Sequence, residues 1–277
     1  MSQKGSFYIK NYRITAFSAN DNSHLHTIFI PGGPGLGSEY LDDFARSLCL
    51  PGQSFLVDFP GDGSNRNLFE QISWDNWKKG LLSVVRYFSP CVLVTHSFSG
   101  MIALSIPELE DELSGIVLMN TSPTRSSGNN MELFGSSDLL KARIEYNHNP
   151  TDESLKDLID AYANHFFLPH ELERGKELIA KCAINSISFQ WAWQHFFPIY
   201  EAKWIPKKIP CMIITGEYDY MCPSSLFFNE LKYTERDNIE LCMIKNAGHF
   251  PWLSGFDAVK DKFNSFYQLL TERHKCQ

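Results

Sequence analysis

The chain has 277 residues, which suits one large domain or one domain carrying an insertion. Hydrophobic residues at 43% and charged residues at 21% supply a sizeable core and exclude intrinsic disorder. With 25 Lys and Arg against 32 Asp and Glu, the net charge is −7, and there is no basic block. Nucleic acid and an anionic membrane are set aside as main partners.

Met1-Ser-Gln-Lys-Gly-Ser opens no apolar stretch of signal-peptide type, and no run of about 18 apolar residues follows anywhere. The cytoplasm is the expected compartment. The seven cysteines (Cys49, Cys91, Cys182, Cys211, Cys222, Cys242 and Cys276) are scattered and form no CxxC pair. Neither a disulfide framework nor a zinc site is expected.

Taken in chain order, short apolar, β-branched runs alternate with helix-like segments, the pattern of a mostly parallel sheet flanked by helices. Strands are predicted at Phe7–Lys10 and Arg13–Phe17, an antiparallel hairpin around Asn11, and at Leu25–Ile30 and Ser54–Asp58. Further strands follow at Cys91–Thr95, Gly115–Asn120, Cys211–Thr215 and Ile239–Ile244. Helices are predicted at Glu39–Leu48, Trp74–Phe88, Phe98–Ile106, Ser224–Leu231 and Phe256–Thr271. The alternation stops between Asn120 and Lys208, where Met131–Tyr146, Asp152–Phe167, His170–Ile184 and Ser188–Tyr200 read as helices. An eight-stranded α/β core of residues 1–122 and 206–277, with a helical cap of residues 123–205, is the expected organisation.

Three strand ends carry chemistry. Cys91-Val-Leu-Val-Thr-His-Ser-Phe-Ser-Gly100 runs a buried strand into Ser97 and then straight into a helix. A serine on so sharp a turn stands proud of the sheet edge, although Thr95 and Ser99 occupy the places where G-x-S-x-G has glycine. Read alone, Ser97 is equally a helix N-cap. Asp219 follows a late strand in Thr215-Gly-Glu-Tyr-Asp, and His249 follows the last one in Asn246-Ala-Gly-His. A serine nucleophile needs a base, and the base needs a carboxylate to fix its tautomer. Ser97, Asp219 and His249 occur in the required order. A turn-forming aspartate and a loop histidine are the plainer alternatives.

After an early strand, Pro31-Gly-Gly-Pro-Gly-Leu-Gly37 offers backbone N–H donors without intervening side chains. The expected oxyanion donors are the amides of Gly33 and Phe98. The same glycines, with Asp58 ending the next strand, form a faint dinucleotide-binding outline. The spacing is not G-x-G-x-x-G, Pro34 interrupts it, and Ser97, Asp219 and His249 are left unexplained.

These motifs resemble the α/β-hydrolase family over nearly the whole chain. Within it, Gly32-Gly-Pro-Gly35, Gly216-Glu-Tyr-Asp-Tyr-Met-Cys-Pro223 and Asp58-Phe-Pro-Gly-Asp-Gly-Ser64 resemble the proline iminopeptidase group. Departures are Pro31 for a histidine, Phe59-Pro60 for Gln-Arg, and the elbow without its glycines. The resemblance implies a serine hydrolase that cleaves a small ester or amide, with no metal or organic cofactor. It also implies acidic cap residues that anchor a substrate amine; Glu145, Glu171, Glu177 and Glu201 are available. A small molecule or short peptide is the expected partner. A C–C bond hydrolase with the same residues and a non-catalytic binding member of the fold are the alternatives. In the cap, Trp191, Trp193 and Phe196 either line a substrate pocket or fasten the cap to the core.

Overall fold

The computed structural model describes residues 5–19, 23–66, 72–125 and 137–275. Eight strands form one sheet: β1 (Ser6–Ile9), β2 (Tyr12–Ala19), β3 (His26–Ile30), β4 (Gln53–Asp58), β5 (Cys91–His96), β6 (Gly115–Met119), β7 (Cys211–Gly216) and β8 (Ile239–Ile244). Their order is β1-β2-β4-β3-β5-β6-β7-β8. β1 and β2 form the expected antiparallel hairpin, β2 also runs antiparallel to β4, and every later pairing is parallel.

Burial follows position in the sheet. β5, β6 and β7 are buried at every residue, as central parallel strands covered on both faces must be. The edge strand β1 is mostly exposed, and β8 mixes buried with exposed positions. The period of two divides the core. Phe29, Val92, Val94, Val117, Met119, Met212 and Ile214 face one side, while Ile28, Ile30, Leu93, Ile116, Leu118 and Ile213 face the other. The first face packs on α1 (Asp42–Ser47) and on the long C-terminal helix through Phe44, Phe263 and Phe266. The second packs on α2 (Trp74–Tyr87) and α3 (Phe98–Leu104) through Trp77, Leu81, Val85 and Ile102.

Between β6 and β7 lie α4 (Ser137–His148), α5 (Asp152–Ala161), α6 (Ala163–Phe166), α7 (Leu172–Ala180) and α8 (Ser186–Trp191). α5 starts on a capping box, with Thr151 accepting from Ser154 N–H and the Ser154 hydroxyl accepting from Thr151 N–H. The start of the helix predicted at Met131 lies outside the described residues. The segment predicted as one helix over Ser188–Tyr200 is broken: a π-turn at Ala192–Phe196 and a 3-10 turn at Phe197–Ile199 follow α8. Pro198 lacks the N–H that an α-helix needs there.

After β7 come α9 (Ser225–Phe228) and α10 (Leu231–Thr234), and after β8 comes α11 (Trp252–Lys275). α11 is kinked at Gly255 (φ −119°, ψ 37°), where a Cβ would collide with Ile244. Among the described residues no helix is long and apolar enough to cross a membrane.

Candidate active site

Ser97 sits on the turn between β5 and α3 with φ 55° and ψ −118°, a conformation that L-residues avoid. Two close approaches surround that turn. A Cβ on Gly32 would come within 2.8 Å of the His96 carbonyl oxygen, and one on Gly100 within 2.6 Å of the Thr121 hydroxyl. Thr95 and Ser99, the residues without glycine's freedom, have work of their own. Thr95 donates to the Val117 carbonyl at 3.2 Å, and the Ser99 hydroxyl accepts from His96 N–H at 3.0 Å. The relaxed elbow is therefore held by hydroxyls where the usual pattern relies on small size. Although Ser97 occupies the N-cap position of α3, its side chain makes no capping bond.

Its hydroxyl faces His249 Nε2 at 3.0 Å instead. On the other side of that ring, Nδ1 meets Asp219 Oδ2 at 2.9 Å and Oδ1 at 3.0 Å. An ionised carboxylate only accepts, so Nδ1 carries the proton and Nε2 is left to accept from Ser97. Asp219 and His249 are each 3% exposed, while Ser97 is only half-buried and open to a reactant. Asp219 also forms its turn, as the plainer reading expected: Oδ1 accepts from the N–H groups of Met221 and Cys222, both at 2.9 Å.

Asn120, at the end of β6, was not singled out by its sequence. Its side-chain amide donates to Asp219 Oδ2 at 2.8 Å and to the Gly248 carbonyl at 3.2 Å. A buried polar residue at the C-terminal end of a central parallel strand was the available signal.

The glycine loop crosses above the elbow. Gly33 has φ +139°, and among the described residues its N–H donates to no backbone carbonyl. Phe98 opens α3, so its N–H has no partner inside the helix. The loop is tied to the segment between β6 and β7: Gly37 N–H donates to the Ala183 carbonyl at 3.2 Å, and Asn185 N–H to that of Gly35 at 2.9 Å. Arg66 adds bonds to Asp152 at 2.5 Å and to the Ile184 carbonyl at 2.6 Å. From above, His249 N–H donates to the Phe166 carbonyl at 3.0 Å.

Asp62 lies fully buried beneath this loop, with Oδ1 accepting from Gly35 N–H at 3.0 Å; among the described residues Oδ2 makes no hydrogen bond that meets normal geometry. Burial pushes its carboxyl from 3.8 up to about 7; nearby Asp58 adds to the rise, while the Ser188 hydroxyl and Gly35 N–H oppose it. The folded protein thus holds a proton that the unfolded chain releases between about pH 4 and 7, so this group's contribution to stability falls as pH rises through that window. Asp62→Asn is expected to gain stability over the parent progressively from pH 4 to pH 7, by up to about 4 kcal/mol, with no further gain above pH 8. Denaturant unfolding of both proteins at pH 4.5, 6 and 8 checks this; a pH-independent difference contradicts it.

The other candidates separate. Trp191 packs on Trp77 with ring centroids 4.8 Å apart, and buried Phe196 packs on Phe98 at 5.3 Å. Both hold the segment between β6 and β7 against α2 and α3. Trp193 is 43% exposed, and among the described residues its ring pairs are with Phe189 at 6.0 Å and Phe197 at 5.0 Å. Glu145, Glu177 and Glu201 are exposed. Glu171 is buried, but one oxygen accepts from Leu168 N–H at 2.8 Å and the other from the Ser254 hydroxyl.

Among the described residues, Asp219, Cys222 and His249 hold ligand-type atoms within 4.8 Å of one another. Burial, aided by Asp219, pushes the Cys222 thiol well above its ordinary range, and the other two groups are already paired. That donor set suits a proton relay rather than a cation.

A sheet of this topology, crossed by helices and bearing a serine at a strand-to-helix elbow, defines a class, and the sequence agrees. The profile of the alpha/beta hydrolase family matches residues 27–262, and the chain belongs to that family. No match emerges among curated proteins. Solved structures similar to it include an alpha/beta fold family hydrolase from Bacillus anthracis str. Sterne (17% identity, TM-score 0.69, covering 96% of this chain and 99% of that one). A thermophilic esterase from Thermogutta terrifontis is similar at 12% identity and TM-score 0.71, covering 96% and 99%. A proline iminopeptidase-related protein from Thermus thermophilus is similar at 15% identity and TM-score 0.70, covering 96% and 97%. Likeness at these identities speaks for the fold alone.

Proposed function

We propose that the protein is a serine hydrolase that cleaves a small ester through an acyl-enzyme. The observation that carries this reading is the continuous hydrogen-bonded line from Ser97 Oγ through the His249 ring to Asp219. His249 Nε2 takes the Ser97 proton as Oγ attacks the substrate carbonyl carbon. The negative charge that develops on the carbonyl oxygen is held by the N–H groups of Gly33 and Phe98. His249 then gives its proton to the leaving oxygen, and the C–O bond to the leaving group breaks. Water, deprotonated by the same nitrogen, attacks the acyl-Ser97 carbonyl and releases the acid. The Asp219 carboxylate stabilises the transient imidazolium, while the Asn120 amide, donating to Oδ2, holds that carboxylate beside the ring.

The cap favours an ester over an N-terminal residue amide. An aminopeptidase needs a buried, unspent carboxylate to hold the substrate's ammonium. Of the acids singled out there, all among the described residues, Glu171 is buried with both oxygens engaged, and Glu145, Glu177 and Glu201 face solvent. The expected kcat/KM for p-nitrophenyl acetate exceeds that for proline p-nitroanilide by about 100-fold, the loss seen when a buried charge finds no partner. An arylamide turned over faster than the ester contradicts the assignment.

A further inference from the structure

One buried chain of hydrogen bonds around Ser97 has a fixed direction, because both of its ends are backbone groups. Gly32 N–H can only donate, and it meets the Tyr40 hydroxyl at 2.5 Å. Tyr40 turns its own proton to His96 Nδ1, 2.8 Å away. Nδ1 therefore accepts, the His96 proton sits on Nε2, and Nε2–H donates to the His249 carbonyl at 2.9 Å. A carbonyl can only accept, so the tautomer follows from its partners.

Both relay side chains are almost fully buried, Tyr40 at 1% and His96 at 2% exposure. Burial holds the His96 ring neutral, well below its ordinary range, and the nearby His249 ring acts in the same sense. Burial likewise holds the Tyr40 hydroxyl protonated. Tyr40 stacks on Trp252, and the His96 ring packs against Phe250 and Trp252 at 4.9 and 5.1 Å. His249 is consequently held at both of its backbone groups, its carbonyl by His96 and its N–H by the Phe166 carbonyl of the cap.

We propose that His96 and Tyr40 are positioning residues of this site: the neutral pair locks the glycine loop next to Gly33 and the backbone of His249 into one register. The oxyanion donors then stay aimed at the substrate's carbonyl oxygen while the base stays aimed at Ser97 Oγ. The proposal rests on the reading of Ser97 and His249 as the reacting pair. It also explains why an imidazole is tolerated 5.0 Å from one that must become positive during turnover. With Tyr40 donating to Nδ1, His96 has no free site for a second proton.

The test compares wild type, Tyr40→Phe, His96→Leu and His96→Gln. Each is followed by the rate of fluorophosphonate labelling, by kcat and KM for p-nitrophenyl acetate, and by thermal unfolding. Tyr40→Phe keeps the ring packing, so it isolates the hydroxyl. Tyr40→Phe and His96→Leu are expected to lower kcat and the labelling rate by about 10- to 100-fold with KM within about twofold, the cost of a misaimed reacting group. His96→Gln, whose amide can reach the His249 carbonyl, is expected to recover part of the loss. A folded Tyr40→Phe protein with wild-type kcat and labelling rate overturns the proposal, as does an effect confined to KM. If wild type itself is not labelled, the serine-hydrolase reading fails instead.

Discussion

Ser97→Ala is expected to lower ester turnover by at least about 10,000-fold while the protein stays folded. Losing the nucleophile in comparable hydrogen-bonded sets removes the covalent route entirely and leaves only what the oxyanion donors and binding contribute. The structural cost is small. Alanine inherits the same strained backbone at φ 55°, and among the described residues the deleted hydroxyl is hydrogen-bonded to His249 alone. Stability should therefore change by about 1 kcal/mol or less. His249→Ala should abolish turnover to a similar degree but is the less clean probe. Its ring packs against His96, Phe166 and Phe250, and its removal leaves a void. Steady-state kinetics on p-nitrophenyl acetate beside thermal unfolding separate the two effects. Near-normal turnover in Ser97→Ala contradicts the assignment.

Asp219→Asn should cost nearly as much, about 10,000-fold in kcat, for a different reason. The carboxylate is surrounded by donors: His249 Nδ1, the Asn120 amide and two backbone N–H groups. An asparagine here has one oxygen for these claims. If that oxygen keeps the turn at Met221 and Cys222, its NH2 faces His249 and forces Nδ1 to accept. The proton then moves to Nε2, where it points at Ser97, and the base is lost. The expected signature is a collapse of kcat that partly recovers at alkaline pH, with KM nearly unchanged. A folded Asp219→Asn protein retaining more than about a tenth of wild-type kcat removes Asp219 from the mechanism.

The sheet was readable because its central strands are buried on both faces, which leaves uninterrupted apolar runs such as Cys91-Val-Leu-Val and Cys211-Met-Ile-Ile. The candidate site was readable for a related reason. In an open α/β sheet, function gathers at the carboxyl ends of strands, and Ser97, Asp219 and His249 each follow one. What escaped were partners that act across the fold. Asn120 reaches Asp219 over 99 residues of chain, and Tyr40 reaches His96 over 56. No local spacing encodes such a meeting. Glu171 reads in the sequence as one of four available acids, whereas folding commits it to Leu168 and Ser254. The cap aromatics were harder still. Helical spacing through Ser188–Tyr200 treats Trp191, Trp193 and Phe196 as comparable, but the π-turn at Ala192–Phe196 changes the register. Phe196 turns in towards Phe98 and Trp193 is left exposed.

The central claim is that Ser97 is an activated nucleophile. Intact-mass analysis after treatment with a fluorophosphonate, run beside Ser97→Ala, tests it without knowledge of the natural ester. The predicted result is one adduct per chain on the wild type, mapped by peptide digestion to Ser97, and none on the variant. Folded wild-type protein that stays unmodified contradicts it and favours a ligand-binding member of the fold, and an adduct that persists in Ser97→Ala contradicts it by placing the reactive group elsewhere.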